Sequence, residues 1–160
     1  KHLKYNLETH QINPQLLSWE RSEYLICENP RTAMAILPQL KRLGIRLQID
    51  NFGKVASIYG RVQPNLLYRE FDQVKIDRHL VNRIDQDQQT YSVFQDIVIE
   101  LENHGLEITA TGIENTPQLN IVREIACDYG QGHFLTQPLN IEDVKKIMSD
   151  KCQAVFEKIN

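Results

Sequence analysis

Apolar and polar residues alternate in two short stretches, Arg46-Leu-Gln-Ile-Asp-Asn-Phe-Gly53 and Val74-Lys-Ile-Asp-Arg78. Leu47 and Ile49 share one side of an extended chain, and Gln48 and Asp50 share the other. Each stretch therefore reads as a strand with one face on a core and its end at a polar rim. In the second, Val74 and Ile76 alternate with Lys75 and Asp77. Carboxylates and an ammonium at the ends of two strands mark the place to look for chemistry.

The rest of the chain punctuates itself around these strands. Residues 1–17 read as helical but poorly patterned, with a turn at Asn13-Pro14, and Leu16 to Glu23 reads as a strand. Asn29-Pro30 starts a helix that should stop at Gly44, and Pro38 inside it predicts a kink or a late effective start. Lys54 to Gln73 reads as a connector with a helical turn near Asn65 to Arg69, and a short helix is expected around His79 to Ile84. Tyr91, Phe94, Ile97, Val98 and Leu101 fall at helical spacing, which predicts a helix over Gln88 to His104 ended by Gly105. Leu106 to Glu114 reads as a strand and rim loop. Thr116-Pro117 caps a further helix, Cys127 to Phe134 holds a glycine-flanked strand, and Asn140 caps a last helix carrying Val144, Ile147 and Met148.

Strands and helices thus alternate, with a period of roughly 25 to 35 residues, which implies parallel strands joined by right-handed crossovers. A doubly wound sheet would place its site beside a glycine-rich phosphate loop, and the chain contains no G-x-G-x-x-G or P-loop. A (β/α) barrel gathers side chains from many strand ends instead. The polar strand ends Glu20, Glu23, Asp50, Asn51, Lys75, Asp77, Glu114 and Gln131 favour that architecture. Only about five to six strands can be counted where a closed barrel has eight, so the barrel is expected to be incomplete.

Composition narrows the partners. With 160 residues, 41% hydrophobic and 24% charged, the chain reads as one domain over residues 1–160. A net charge of -3 argues against binding a nucleic-acid polymer, though not against a small phosphorylated ligand. The sequence contains no apolar run long enough to span a bilayer and no apolar signal core at its start, so a cytoplasmic location is expected. Cys27, Cys127 and Cys152 read as buried or incidental thiols, and the histidines lack metal-site spacing.

Taken in order, these motifs resemble the EAL domain family, the bacterial cyclic di-GMP phosphodiesterases and their inactive relatives. Trp19-Glu-Arg-Ser-Glu23 resembles L-E-I-T-E, Ile49-Asp-Asn-Phe-Gly53 resembles the start of D-D-F-G-T-G, and Lys75-Ile-Asp-Arg78 matches K-I-D-R. Ala110-Thr-Gly-Ile-Glu114, continuing to Gln118, resembles A-E-G-V-E-T-x-x-Q. Asp128-Tyr-Gly-Gln-Gly132 resembles the D-x-x-Q-G segment, and Thr136-Gln-Pro-Leu139 resembles S-R-P-L, with Gln137 in place of the usual Arg. The resemblance covers about residues 12–148. It implies a TIM-like barrel of EAL type whose carboxylates, in active members, hold Mg²⁺ or Mn²⁺ against a phosphodiester, and whose lysine helps position the attacking water.

Carried over by position, the resemblance makes Lys75 and Gln131 vestigial catalytic residues and Glu20, Asp50 and Glu114 a weakened metal set, with Glu23 and Asp77 as loop supports. Asn51 stands for the second Asp of D-D-F-G, and Thr111 stands for the first Glu of A-E-G-V-E. The E-A-L tripeptide and a ligand Asn are absent from the sequence, and the stretch from Asp50 to Lys75 is a few residues long. The expectation is a degenerate, N-terminally incomplete domain in cyclic di-GMP signalling that does not hydrolyse and needs no cofactor. Its partner would be a protein or second subunit, with weak cyclic di-GMP binding through Lys75, Gln131 and the amides near Gly112 and Gly130. The alternatives are an active phosphodiesterase using Mg²⁺ or Mn²⁺, with its first strands outside this chain, and a non-catalytic cyclic di-GMP receptor.

Overall fold

The computed structural model describes residues 2–54 and 70–149. Its strands β1 (Ser18–Ser22), β2 (Arg46–Phe52), β3 (Gln73–Ile76), β4 (Glu107–Thr111) and β5 (Tyr129–Gln131) form one parallel sheet in chain order. Helix α1 (His2–Thr9) precedes β1. Helices α2 (Glu23–Glu28) and α3 (Pro30–Arg42) join β1 to β2, and α4 (Arg78–Val81) and α5 (Gln88–Asn103) join β3 to β4. Helix α6 (Thr116–Glu124) joins β4 to β5, and α7 (Ile141–Ser149) follows. This is the α/β, barrel-type arrangement expected, with five strands among the described residues.

Period-two alternation decides which way each strand side chain points. Leu47, Ile49, Val74, Ile76, Ile108 and Ala110 face the helices and are buried with Leu37 of α3, Phe94, Val98 and Leu101 of α5, and Val122 of α6. The opposite face is polar. Along it Gln48 donates to Gln73, and Gln73 donates to Thr109 Oγ1 (3.0 Å), a ladder crossing β2, β3 and β4. Nearer the N-terminal ends of the strands, Arg46 Nη2 lies 2.5 Å from Glu107 Oε2, and this bond holds the guanidinium above its ordinary pKa. One device appears twice at that end. Asp72, just before β3, accepts from Leu47 N (2.8 Å), and Asp128, just before β5, accepts from Ile108 N (2.9 Å). Each aspartate satisfies the amide of a neighbouring strand where the ladder begins.

Several local expectations need correction. The first strand ends at Ser22, and Glu23 opens the unforeseen helix α2. A carboxylate suits a helix's first turn, where amide dipoles point outward. Helix α3 begins at Pro30, but the Asn29 side chain makes no capping bond. It also runs unbroken over Pro38, so there is no late start. Leu37 is fully buried and anchors that turn, beside which Gln39 Nε2 donates to Ala35 O (2.7 Å). Asn115, not Thr116, caps α6, accepting from Gln118 N (2.9 Å). Gly44 has φ +83°, the left-handed stop expected of it, and Asn140 accepts from Glu142 N and Asp143 N (both 3.0 Å) as the cap of α7. The helical turn expected near Asn65 to Arg69 lies outside the described residues.

Candidate functional site

Parallel strands bring their C-terminal ends to one rim, and the register sets what meets there. Glu20 lies beside Gln48, Ser22 beside Asp50, Lys75 beside Thr109 and Thr111 beside Gln131. Glu20, Asp50, Lys75, Thr111, Glu114 and Gln131 consequently line one open cleft of about 350 Å³. Arg78 and His133 line it too, with the backbone of Gly112 and Gly132. The sequence reading gave Arg78 no role although it closes the K-I-D-R match. The available signal was its place as the first helical residue after the strand end.

Three of the expected residues stand behind the cleft. Glu23 is buried, and its Oε2 accepts from Gly53 N (3.0 Å), tying α2 to the turn that ends β2. Asp77 is also buried and caps α4, with Oδ1 accepting from His79 N (2.8 Å) and lying 2.6 Å from His79 Nδ1. Asn51 adopts φ +53°, a left-handed conformation that Asn tolerates better than most residues, at an irregularity in the β2–β3 pairing.

Four of the polar side chains lining the cleft, Glu20, Asp50, Lys75 and Thr111, already have partners. Lys75 Nζ lies 2.8 Å from Glu20 Oε2, spanning β3 to β1 across β2. Asn51 Nδ2 donates to Asp50 Oδ2 (2.5 Å), so an amide binds the carboxylate next to it in the chain. Thr111 Oγ1 donates to Ile76 O (2.7 Å), turning its hydroxyl onto the backbone of β3. The amides of Gly112 and Ile113 both donate to Gln131 O (2.7 and 3.1 Å). The amide of Gly112, expected to meet a phosphate, is therefore already engaged. Among the described residues no group of three or more His, Cys, Asp or Glu side chains is placed to hold a metal ion.

The β4 side of the rim is locked by close packing and a buried amide network. A Cβ on Gly112, whose φ is +82°, would lie 2.4 Å from Arg78 Cβ, so only glycine lets the loop after β4 lie on the start of α4. A Cβ on Gly132 would lie 2.0 Å from Ile113 O, again against backbone. Gln118, almost fully buried, accepts from Glu114 N (2.8 Å) and donates to Asn82 O and Asp85 Oδ1 (both 3.4 Å). Asn115 Nδ2 also reaches Asp85 Oδ2 (3.2 Å). These bonds fix the loop carrying Glu114 onto the α4 segment.

Comparison with known proteins gives a family. The EAL domain model matches residues 1–138. The chain is 28% identical over 149 residues to Signaling protein YkoW of Bacillus subtilis, a match spanning 93% of this chain and 18% of that protein. It is 27% identical over 148 residues to Cyclic di-GMP phosphodiesterase NbdA of Pseudomonas aeruginosa, spanning 91% of this chain and 18% of the relative. Less than a fifth of either relative's length is thus represented. Among solved structures, the PaMucR phosphodiesterase in complex with c-di-GMP superposes with a TM-score of 0.79 at 25% identity, covering 89% of this chain and 56% of that one.

Proposed function

The chain belongs to the EAL domain family, and on that premise we propose that it is a non-hydrolysing domain of cyclic di-GMP signalling that works as a protein-interaction module. One observation carries this reading: the Asn51 amide donates to the Asp50 carboxylate at the position where the family resemblance implies two adjacent carboxylates. A hard divalent ion wants several anionic oxygens, and its affinity follows the carboxylate count. Here Asp50 is held by an amide, Glu20 by an ammonium, and Thr111 supplies a hydroxyl bonded to backbone. This donor set does not fit a pair of dications, so no step is routed through metal. Without ions between them, Asp50 and Glu114 face a phosphodiester as like charges. Such a pair costs on the order of 1 kcal/mol in water at about 4 Å and more where water is excluded. Cyclic di-GMP should bind no tighter than tens of micromolar, about -6 kcal/mol.

The test is incubation of the full chain with cyclic di-GMP and Mg²⁺ or Mn²⁺, following the linear dinucleotide. No product is expected. A metal-dependent product that Lys75→Ala abolishes would overturn the proposal and make the domain a phosphodiesterase. Submicromolar binding without hydrolysis would instead make it a receptor. No helix among the described residues is long and apolar enough to cross a membrane.

A further inference from the structure

Two cations line the cleft, and their surroundings differ. The Lys75 ammonium lies 2.8 Å from Glu20 Oε2, so an arriving anion must compete with a carboxylate already in place. Arg78 is exposed, and among the described residues no carboxylate lies within ion-pair distance of its guanidinium. Its stem is nonetheless fixed. Arg78 begins α4 directly after the buried cap Asp77, and its Cβ and Cα pack on the backbone of Gly112, where an added Cβ would meet them at 2.4 and 3.2 Å. The guanidinium is a planar fork that can hold two oxygens of one phosphate, whereas an ammonium is a point charge. The other charged groups on the cleft are Asp50 and Glu114, which repel an anion and keep its binding weak.

We infer that Arg78 is the anion contact of this cleft, the residue that meets a phosphodiester of a cyclic dinucleotide, in place of the lysine at the strand end. The inference rests on the proposed non-hydrolysing reading and specifies which side chain carries its residual ligand affinity.

Titration of cyclic di-GMP into the full chain, in EDTA and at low and high salt, tests it by calorimetry or amide chemical shifts. Arg78→Gln should weaken binding about tenfold and flatten the salt dependence, since one phosphate contact is lost. Lys75→Met should weaken it less. Arg83→Gln removes the same formal charge from a residue already paired with Asp87 (3.2 Å) and should stay within about twofold of the unsubstituted chain. Arg78→Lys should recover part of the loss, and it takes over the comparison if Arg78→Gln fails to fold. The inference is overturned if the Arg78 variants match Arg83→Gln, if Lys75→Met loses as much as Arg78→Gln, or if the unsubstituted chain shows no binding at millimolar ligand. Hydrolysis on adding Mn²⁺ would sink the non-hydrolysing reading alone, because affinity is measured without metal.

Discussion

Ile76 and Lys75 are neighbours on β3 that face opposite sides of the sheet, and the two sides are built differently. On the Ile76 side, Leu47, Ile49, Val74, Ile108 and Ala110 are buried under α3, α5 and α6. On the Lys75 side the groups are polar and bonded in short chains: Arg46 to Glu107, Gln48 to Gln73 to Thr109, Lys75 to Glu20, and Asn51 to Asp50. An apolar layer depends on shape shared by many residues, so one change disturbs many contacts. A polar layer of this kind can change residue by residue, provided each new group finds a partner. Asn51 and Thr111, where the family resemblance implies carboxylates, both have one.

The contrast breaks most readily on the apolar side. Phe94→Ala empties a fully buried site on α5 and should cost about 3–5 kcal/mol in urea or guanidinium unfolding, while Ile76→Ala should cost about 2–5 kcal/mol. A loss below about 1 kcal/mol at both would mean that this layer does not hold the fold.

Gly132→Ala sharpens the contrast, because Gly132 sits on the polar rim yet has no room. The added Cβ would meet Ile113 O at 2.0 Å and Ile113 N at 2.4 Å, so the backbone must move. Overpacking of this kind costs about 1–3 kcal/mol. The same substitution should shift amide resonances of Gln131 and Gly112, whose backbones are bonded across that corner (2.7 Å). Unchanged stability would show that the rim is softer than its packing implies.

Alkaline pH probes the apolar side through Cys127. Burial pushes this thiol up to about 12, from an ordinary value of 9.0. The unfolded chain therefore loses the proton first, and the stabilisation, complete below pH 9.0, falls away as pH rises toward about 12. Its slope is about 1.4 kcal/mol per pH unit. The difference between the chain and Cys127→Ala, followed by urea unfolding across that window, should carry this slope. A parallel pH dependence would mean the thiol ionises equally in both states.

The two faces were also unequally legible. Alternation at Leu47/Ile49 and Val74/Ile76, and the helical spacing from Tyr91 to Leu101, foretold β2, β3 and α5, because burial imposes a period on sequence. Glycine stops worked for the same local reason at Gly44. Partners on the polar face left no such trace. That Gln73 bonds Thr109, or that Glu23 reaches Gly53, follows from register between strands and from a turn far away in sequence. The motifs located the cleft through Glu20, Asp50, Lys75, Thr111, Glu114 and Gln131, but passed over Arg78, whose stem lies against the loop after β4.

The smallest expected effect lies beside one of the largest. Lys75 and Glu20 form a 2.8 Å ion pair whose side chains remain 22% and 38% exposed, so water screens the attraction and part of the Coulomb energy is returned as lost side-chain freedom. A double-mutant cycle of Glu20→Gln and Lys75→Met should give a coupling of only about 0.2–1 kcal/mol, shrinking with added salt. Ile76→Ala, one residue along the same strand, should cost several times more. A coupling above about 2 kcal/mol would mean that the pair is desolvated and helps to hold β1 on the sheet. The polar face would then be a structural layer like its apolar counterpart.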